Sequence, residues 1–209
     1  MDSLLLRERV IAGQDALIAV VCDGVGALED GAFAASTAVR MLSDWFGGLD
    51  TAERIGLRMR DAALAINAHI VAKAKAEAKN TASTLSALLL LGDMYYIVHV
   101  GDSRIYSFSQ GVLAQLTKDD TAESGQLKSC IGRKEDIVLY YTEGTAGPMT
   151  FLLCTDGLYK RMDLQLMLAK MDFGSKKSLK KAIASLTQYV IGQDERDNIS
   201  LALVKKYES

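Results

Sequence analysis

Proline is almost missing from this sequence: one residue, Pro148, in a chain of 209. That excludes a proline-rich linker or recognition tract. Cysteine is scarce as well, with Cys22, Cys130 and Cys154 at long, unrelated intervals. An odd number so spaced suggests neither a disulfide framework nor a zinc site, and it fits a reducing, cytoplasmic compartment. Charge of one sign is not in excess either. Basic and acidic residues number 24 and 26, for a net charge of −2, which leaves no footprint for nucleic acid or an anionic membrane surface. No apolar run approaches the roughly 18 to 20 residues of a membrane span; the longest, residues 85–91, is strand-sized and contains Ser86. The opening residues do not read as a signal peptide, because Asp2 stands where positive charge belongs.

What is present is a large apolar fraction, 49% of the residues, enough for a sizeable core. Low-complexity tracts and solenoid-length repeats do not occur, and no linker separates the halves, so a single domain over 1–209 is expected. Residues 31–46 place Phe33, Val39, Leu42 and Phe46 at roughly helical spacing before Gly47-Gly48. Residues 51–79 carry a stripe of Ile55, Met59, Ala62, Ile66 and Ile70. The middle of the chain changes period. Runs 84–91 and 94–100 flank Gly92-Asp93, and 104–108 and 112–116 flank Ser109-Gln110-Gly111, predicting two hairpins. A third strand pair, 137–142 with 149–154, is expected around 144–148, then helices near 163–170 and 178–191 and a last strand at 199–204. Runs such as Leu88 to Leu91 and Phe151 to Leu153 are apolar on both faces, as covered strands are. The expected fold is α/β (α+β): a four-layer sandwich of two stacked antiparallel β-sheets flanked by helices.

One pattern recurs along these strands. Residues 17–22 run into Asp23-Gly24, 95–101 into Asp102-Ser103, and 151–155 into Asp156-Gly157. Asp197 precedes the final strand and Asp2 opens the first; Asp15 reads as a loop residue. Singly, each is a turn former. Together, on strands sharing one stack, they would form a cluster of like charges that needs a cation to persist. Oxygen-only ligands select hard ions such as Mg²⁺, Mn²⁺ or Ca²⁺. Glycine beside Asp23 and Asp156 would let the backbone approach such an ion.

Six segments in order resemble the motifs of PPM-type (type 2C) protein serine/threonine phosphatases of bacteria. They are Val21-Cys22-Asp23-Gly24-Val25-Gly26, Ser83-Thr84-Leu85, the run 100–106 with Gly101-Asp102-Ser103-Arg104, Leu116-Thr117-Lys118-Asp119, Cys154-Thr155-Asp156-Gly157-Leu158, and Arg196-Asp197-Asn198-Ile199. The resemblance implies a hydrolase that uses two or three Mn²⁺ or Mg²⁺ ions. Asp23 would bridge two of them with the Gly24 carbonyl as a further ligand, Asp156 and Asp197 would complete the second site, and Asp102 would help hold a weaker third ion. Asp2 would close the family's first acidic motif and be a metal ligand as well. Asp23, Asp156 and Asp197 would thus be the residues on which catalysis depends. Such ions lower the pKa of water toward neutrality, giving a nucleophile for in-line attack on a phosphate monoester. The implied partners are phosphorylated proteins, substrates of a serine/threonine kinase, with no role for nucleic acid or membrane.

The sequence departs from the family pattern in places. Members normally carry an upstream strand with a phosphate-gripping arginine, and the sequence starts inside the first acidic motif, so that strand is expected to be lacking. Ala27 replaces a preferred glycine, Lys160 stands where many members have an acidic residue near the third ion, and the flap before Ile131-Gly132 is short. The alternative implied by these departures is a catalytically weak or inactive phosphatase-like regulatory domain that binds a partner. His99 reads as a core histidine and Arg104 as a residue that holds a loop or strand. Cys22 and Cys154 read as packing residues, and Lys176, Lys177, Lys180 and Lys181 as a solvated helix face.

Overall fold

The chain opens as a hairpin whose turn is made by Ala12 and Gly13, both at positive φ (50° and 79°). Consecutive left-handed residues give the twist that closes a two-residue hairpin. In the computed structural model, which describes residues 1–207 other than Ala27, Glu29, Gly125 and Arg196, that hairpin pairs β1 (Ser3–Ile11) with β2 (Gln14–Cys22). Asp15 therefore lies in a strand, exposed, and not in a loop as the sequence suggested. Two helices follow, α1 (Gly31–Gly47) and α2 (Ile55–Ala76). Then come β3 (Leu85–Leu91), β4 (Met94–Val100), β5 (Arg104–Ser109) and β6 (Val112–Gln115). The remainder is β7 (Tyr140–Thr145), β8 (Met149–Cys154), α3 (Asp156–Tyr159), α4 (Leu164–Leu168), α5 (Lys176–Ile191) and β9 (Leu201–Lys206).

These strands form two antiparallel sheets, ordered β1-β2-β3-β4-β7 and β6-β5-β8-β9. Period-two alternation assigns each side chain to a layer. On β3, Leu85, Ala87, Leu89 and Leu91 face the α1–α2 side, while Leu88 and Leu90 face the second sheet. On β8, Phe151 and Leu153 point between the sheets and Leu152 and Cys154 toward α5. Three apolar interfaces thus separate four layers: helices, sheet, sheet, helices. The expected four-layer sandwich is the observed one.

Local details differ from expectation for physical reasons. The buried face of α1 runs through Ala34, Ala35 and Ala38 before Leu42 and Phe46, with Phe33 and Val39 only partly covered. Small side chains let the helix lie close on the sheet. On α2 the stripe passes through Ala63 rather than Ala62, and the helix begins at Ile55 because Arg54 sits in the left-handed region. The expected third hairpin does not form. β7 pairs with β4 at the edge of the first sheet, whereas β8 pairs with β5 and β9 in the second. β8 is apolar on both faces and needs a central place; β7 is half-exposed and suits an edge. Pro148, lacking an N–H, lies in the short link that steps between sheets.

The same ladder brings several strand ends to one edge of the stack. Ser3 pairs with Cys22, Leu85 with Val100, and Arg104 with Cys154 and through it Leu201. The chain segments just beyond those pairs carry Asp2, Asp23, Asp102, Asp156 and Asp197.

Candidate metal centre

Asp23 leaves the end of β2 with its backbone held on both sides. Its N–H donates to Thr84 Oγ1 at 2.9 Å, and its carbonyl accepts from Thr84 N at 2.9 Å and Ser83 Oγ at 2.9 Å. Thr84 Oγ1 in turn meets Ser103 Oγ at 2.7 Å, beside Asp102. Ser86 Oγ donates to the Ser103 carbonyl at 2.9 Å. These hydroxyls are fully buried, and they satisfy turns that would otherwise leave main-chain groups unpaired in the core. Ser83-Thr84 stood out in the sequence as a motif without a task; bracing Asp23 is the task.

Asp156 stands at the start of the short α3, after β8. Thr155 Oγ1 lies 3.2 Å from Asp2 Oδ2 and accepts from Ser200 N at 3.1 Å, so one threonine ties β8, the first residues and the approach to β9. Gly157 lets the 197–198 segment come in close: a Cβ there would lie 2.4 Å from the Asn198 carbonyl oxygen. At Gly24 a Cβ would lie 2.7 Å from Gly31 backbone and 2.8 Å from the Met1 carbonyl. Close approach of chain to chain is therefore what these two glycines permit.

Asp23, Gly24, Asp102, Asp156, Asp197 and Asn198 line one cavity of about 280 Å³. Larger hollows open over α5 and beside β9, but they lack such a set of carboxylates. Asp2 is not on the lining; its side chain is 7% exposed, and its carboxylate is near enough to Asp23 to help raise that group's pKa. Arg196 and Ala27, both singled out in the sequence, fall outside the described residues.

The electrostatics are those of crowded like charges. Burial, followed by the Asp2, Asp156 and Asp197 carboxylates, pushes the Asp23 pKa up to about 8. Burial and the Asp156 carboxylate also raise Asp102. Asp2 Oδ1 and Asp156 Oδ1 are buried without a hydrogen-bond partner. One cation leans in from the rim: Lys160 Nζ lies 2.5 Å from Asp156 Oδ2, four residues along. Among the described residues, no three Asp, Glu, His or Cys side chains are close enough, as placed, to cage an ion. The donor set nevertheless fits a hard divalent cation: oxygens only, two of them orphaned, with a proton held on Asp23 in place of positive charge.

His99, Cys22, Cys154 and the lysines of α5 take the structural places that their sequence context suggested. His99 is buried, its ring nitrogens 2.9 Å from Ser86 Oγ and 3.2 Å from the Lys118 carbonyl, and burial lowers its pKa. Cys22, Cys130 and Cys154 are buried free thiols. Arg7 and Arg9 donate to carbonyls of Ser43 and Phe46 at the end of α1. The lysines of α5 are exposed. No helix among the described residues is long and apolar enough to cross a membrane.

Known proteins resemble this chain in sequence and in fold. The profile described as protein phosphatase 2C matches residues 2–202. The serine/threonine phosphatase stp of Listeria monocytogenes is 32% identical over 166 residues, which cover 68% of this chain and 66% of that protein, just under two thirds of it. Among solved structures, the serine/threonine phosphatase Stp1 from Staphylococcus aureus superposes with a TM-score of 0.87 at 18% identity, covering 98% of this chain and 88% of that one. The catalytic domain of the serine/threonine protein phosphatase PstP, in complex with 2 manganese ions, gives 0.77 at 21% identity, covering 98% and 97%. At such identities the structures speak for the fold. With the profile spanning most of its length, the chain belongs to the protein phosphatase 2C family.

Proposed function

We propose that this chain is one catalytic domain, 1–209, that hydrolyses phosphoserine and phosphothreonine in proteins with the help of divalent cations. The observation that carries it is the meeting of Asp23, Asp102, Asp156 and Asp197, far apart in sequence, on one cavity at the edge of two sheets. Asp23 and the Gly24 carbonyl would hold two Mn²⁺ or Mg²⁺ ions between them, Asp156 and Asp197 would complete the second site, and Asp102 would serve a third. Asp2 would support Asp23 from outside the cavity lining. When bound, the ions supply positive charge to the phosphoryl oxygens and lower the pKa of water toward neutrality.

The chain's own part is to hold these carboxylates against their repulsion. Ser83 and Thr84 fix the Asp23 backbone, Thr155 fixes Asp2, and Leu127 closes the cavity with an apolar wall. Asp23 carries a proton up to about pH 8 in the metal-free chain and must release it on taking up an ion. Ion affinity accordingly rises as pH climbs toward that value. The substrates would be targets of a serine/threonine kinase in the cytoplasm.

One contact favours the second possibility, a weak or inactive binding domain: the Lys160 ammonium already occupies Asp156 Oδ2. Assay of a phosphothreonine peptide separates the two. Turnover should appear with millimolar Mn²⁺ and vanish in EDTA. Hydrolysis that persists in EDTA would refute the metal-dependent mechanism, and Mn²⁺ binding without hydrolysis would select the binding domain.

A further inference from the structure

Arg104 is not among the residues that line the carboxylate cavity, yet its contacts lead to that cavity by two routes. Its Nε lies 3.0 and 3.1 Å from the two Asp119 carboxylate oxygens, and its Nη2 donates to Oδ2 at 2.7 Å. Nη1 donates to the Tyr106 hydroxyl at 2.9 Å. The guanidinium lies over the Tyr159 ring, its Cζ 3.7 Å from the centroid. Tyr159, the last residue of α3, donates its hydroxyl to the main-chain oxygen of Asp102 at 3.0 Å. On the other side Asp120, next to Asp119, donates its N–H to the Gly101 carbonyl at 2.8 Å. The Asp120 carbonyl accepts from Lys128 N at 2.8 Å, adjacent to Leu127 of the cavity wall.

One planar cation thus joins three parts of the chain: the turn bearing Asp102, the helix bearing Asp156, and the loop residues Asp119 and Asp120, whose contact with Lys128 leads to Leu127. Only arginine offers a fork for a carboxylate and a flat face for an aromatic ring at once; lysine offers a point charge. Both partners are about a quarter exposed, so the ion pair is partly screened. What the arrangement contributes is geometry: the guanidinium is held in its plane by the carboxylate at its edge and the ring at its face.

We propose that Arg104 is a positioning residue, which through Tyr159 sets where Asp102 stands relative to Asp156 and through Asp119 sets the wall formed by Leu127. The part concerning ions rests on the metal-dependent function proposed above.

The test compares wild type with Tyr159→Phe, Arg104→Lys and the double variant. Tyr159→Phe removes a single hydroxyl and keeps the ring, so it guards against a trivial folding defect. Calorimetric titration with Mn²⁺ should show each single variant binding ~10-fold more weakly, the size of effect seen when a ligand loses its outer partner. The double variant should lose little beyond Arg104→Lys, because both changes break one chain of contacts. Amide hydrogen exchange of the metal-free chain should rise over 118–128 in Arg104→Lys and stay at the wild-type rate there in Tyr159→Phe. Wild-type Mn²⁺ affinity in both single variants, or losses that multiply in the double, would overturn the proposal. If wild type takes up no Mn²⁺ at all, the metal-dependent function fails on its own. Exchange over 118–128 then decides the clamp, and an unchanged rate there counts against it.

Discussion

Replacing Asp156 or Asp197 by asparagine should lower Mn²⁺-supported hydrolysis of a phosphothreonine peptide about a thousand-fold, the scale on which losing one group that stabilises transition-state charge is felt. Stability should move the other way. The carboxylates around the cavity repel one another, and burial together with that repulsion pushes the Asp23 pKa up to about 8. Asparagine has the shape of the protonated acid, so each substitution removes repulsion without opening a cavity. Lys160 loses its partner in Asp156→Asn, but its side chain is 56% exposed and can turn to water. A metal-free melting temperature equal to or above wild type, alongside the lost turnover, distinguishes a functional carboxylate from a structural one. Asp119→Asn is the natural contrast: its carboxylate holds Arg104, and its loss should lower the melting temperature.

The second large effect is expected from a single methyl group. In Gly157→Ala the new Cβ would lie 2.4 Å from the Asn198 carbonyl oxygen and 3.5 Å from Asp197 Cβ. Alanine gains up to about 1 kcal/mol over glycine in a helix. Overpacking against a backbone atom costs about 1–3 kcal/mol, so the clash decides the sign. The relief available is for the 197–198 segment to back away, and that separates Asp197 from Asp156. Gly157→Ala should therefore both lower the melting temperature and weaken Mn²⁺ binding in a calorimetric titration. Gly147, where a Cβ would meet nothing within 4 Å, supplies the control: Gly147→Ala should leave both quantities unchanged.

The layered fold was legible because it is written in local periods. Runs such as 85–91 and 151–153, apolar on both faces, could only be covered strands, and the helical stripes of 31–46 and 51–79 could only cover them. What local periods do not carry is which strand pairs with which. The segments 137–142 and 149–154 are near neighbours in sequence with a turn between them, yet β7 and β8 end in different sheets. The choice depends on where Phe151 and Leu153 can be buried on both sides.

The site was legible to a similar depth. Apolar strands ending in aspartate pointed to Asp23, Asp102 and Asp156, and these meet with Asp197 around one cavity. The groups that hold them there gave weaker signals. Thr84, Ser103 and Thr155 stood inside the family motifs without a role of their own, and their burial and hydrogen bonds show that each braces the chain beside an aspartate. Gly24 and Gly157 looked like places for an ion to approach; the geometry gives them the additional task of admitting a neighbouring chain segment. Lys160 was visible as a departure from the family pattern, but its reach back one turn to Asp156 depends on the helical start of α3.

The decisive measurement is anomalous X-ray scattering at the manganese edge from crystals grown with Mn²⁺. Paired peaks in the hollow bounded by Asp23, Asp156 and Asp197 are the predicted result. A map with no anomalous density there, from crystals in which that hollow is open to solvent, would contradict it.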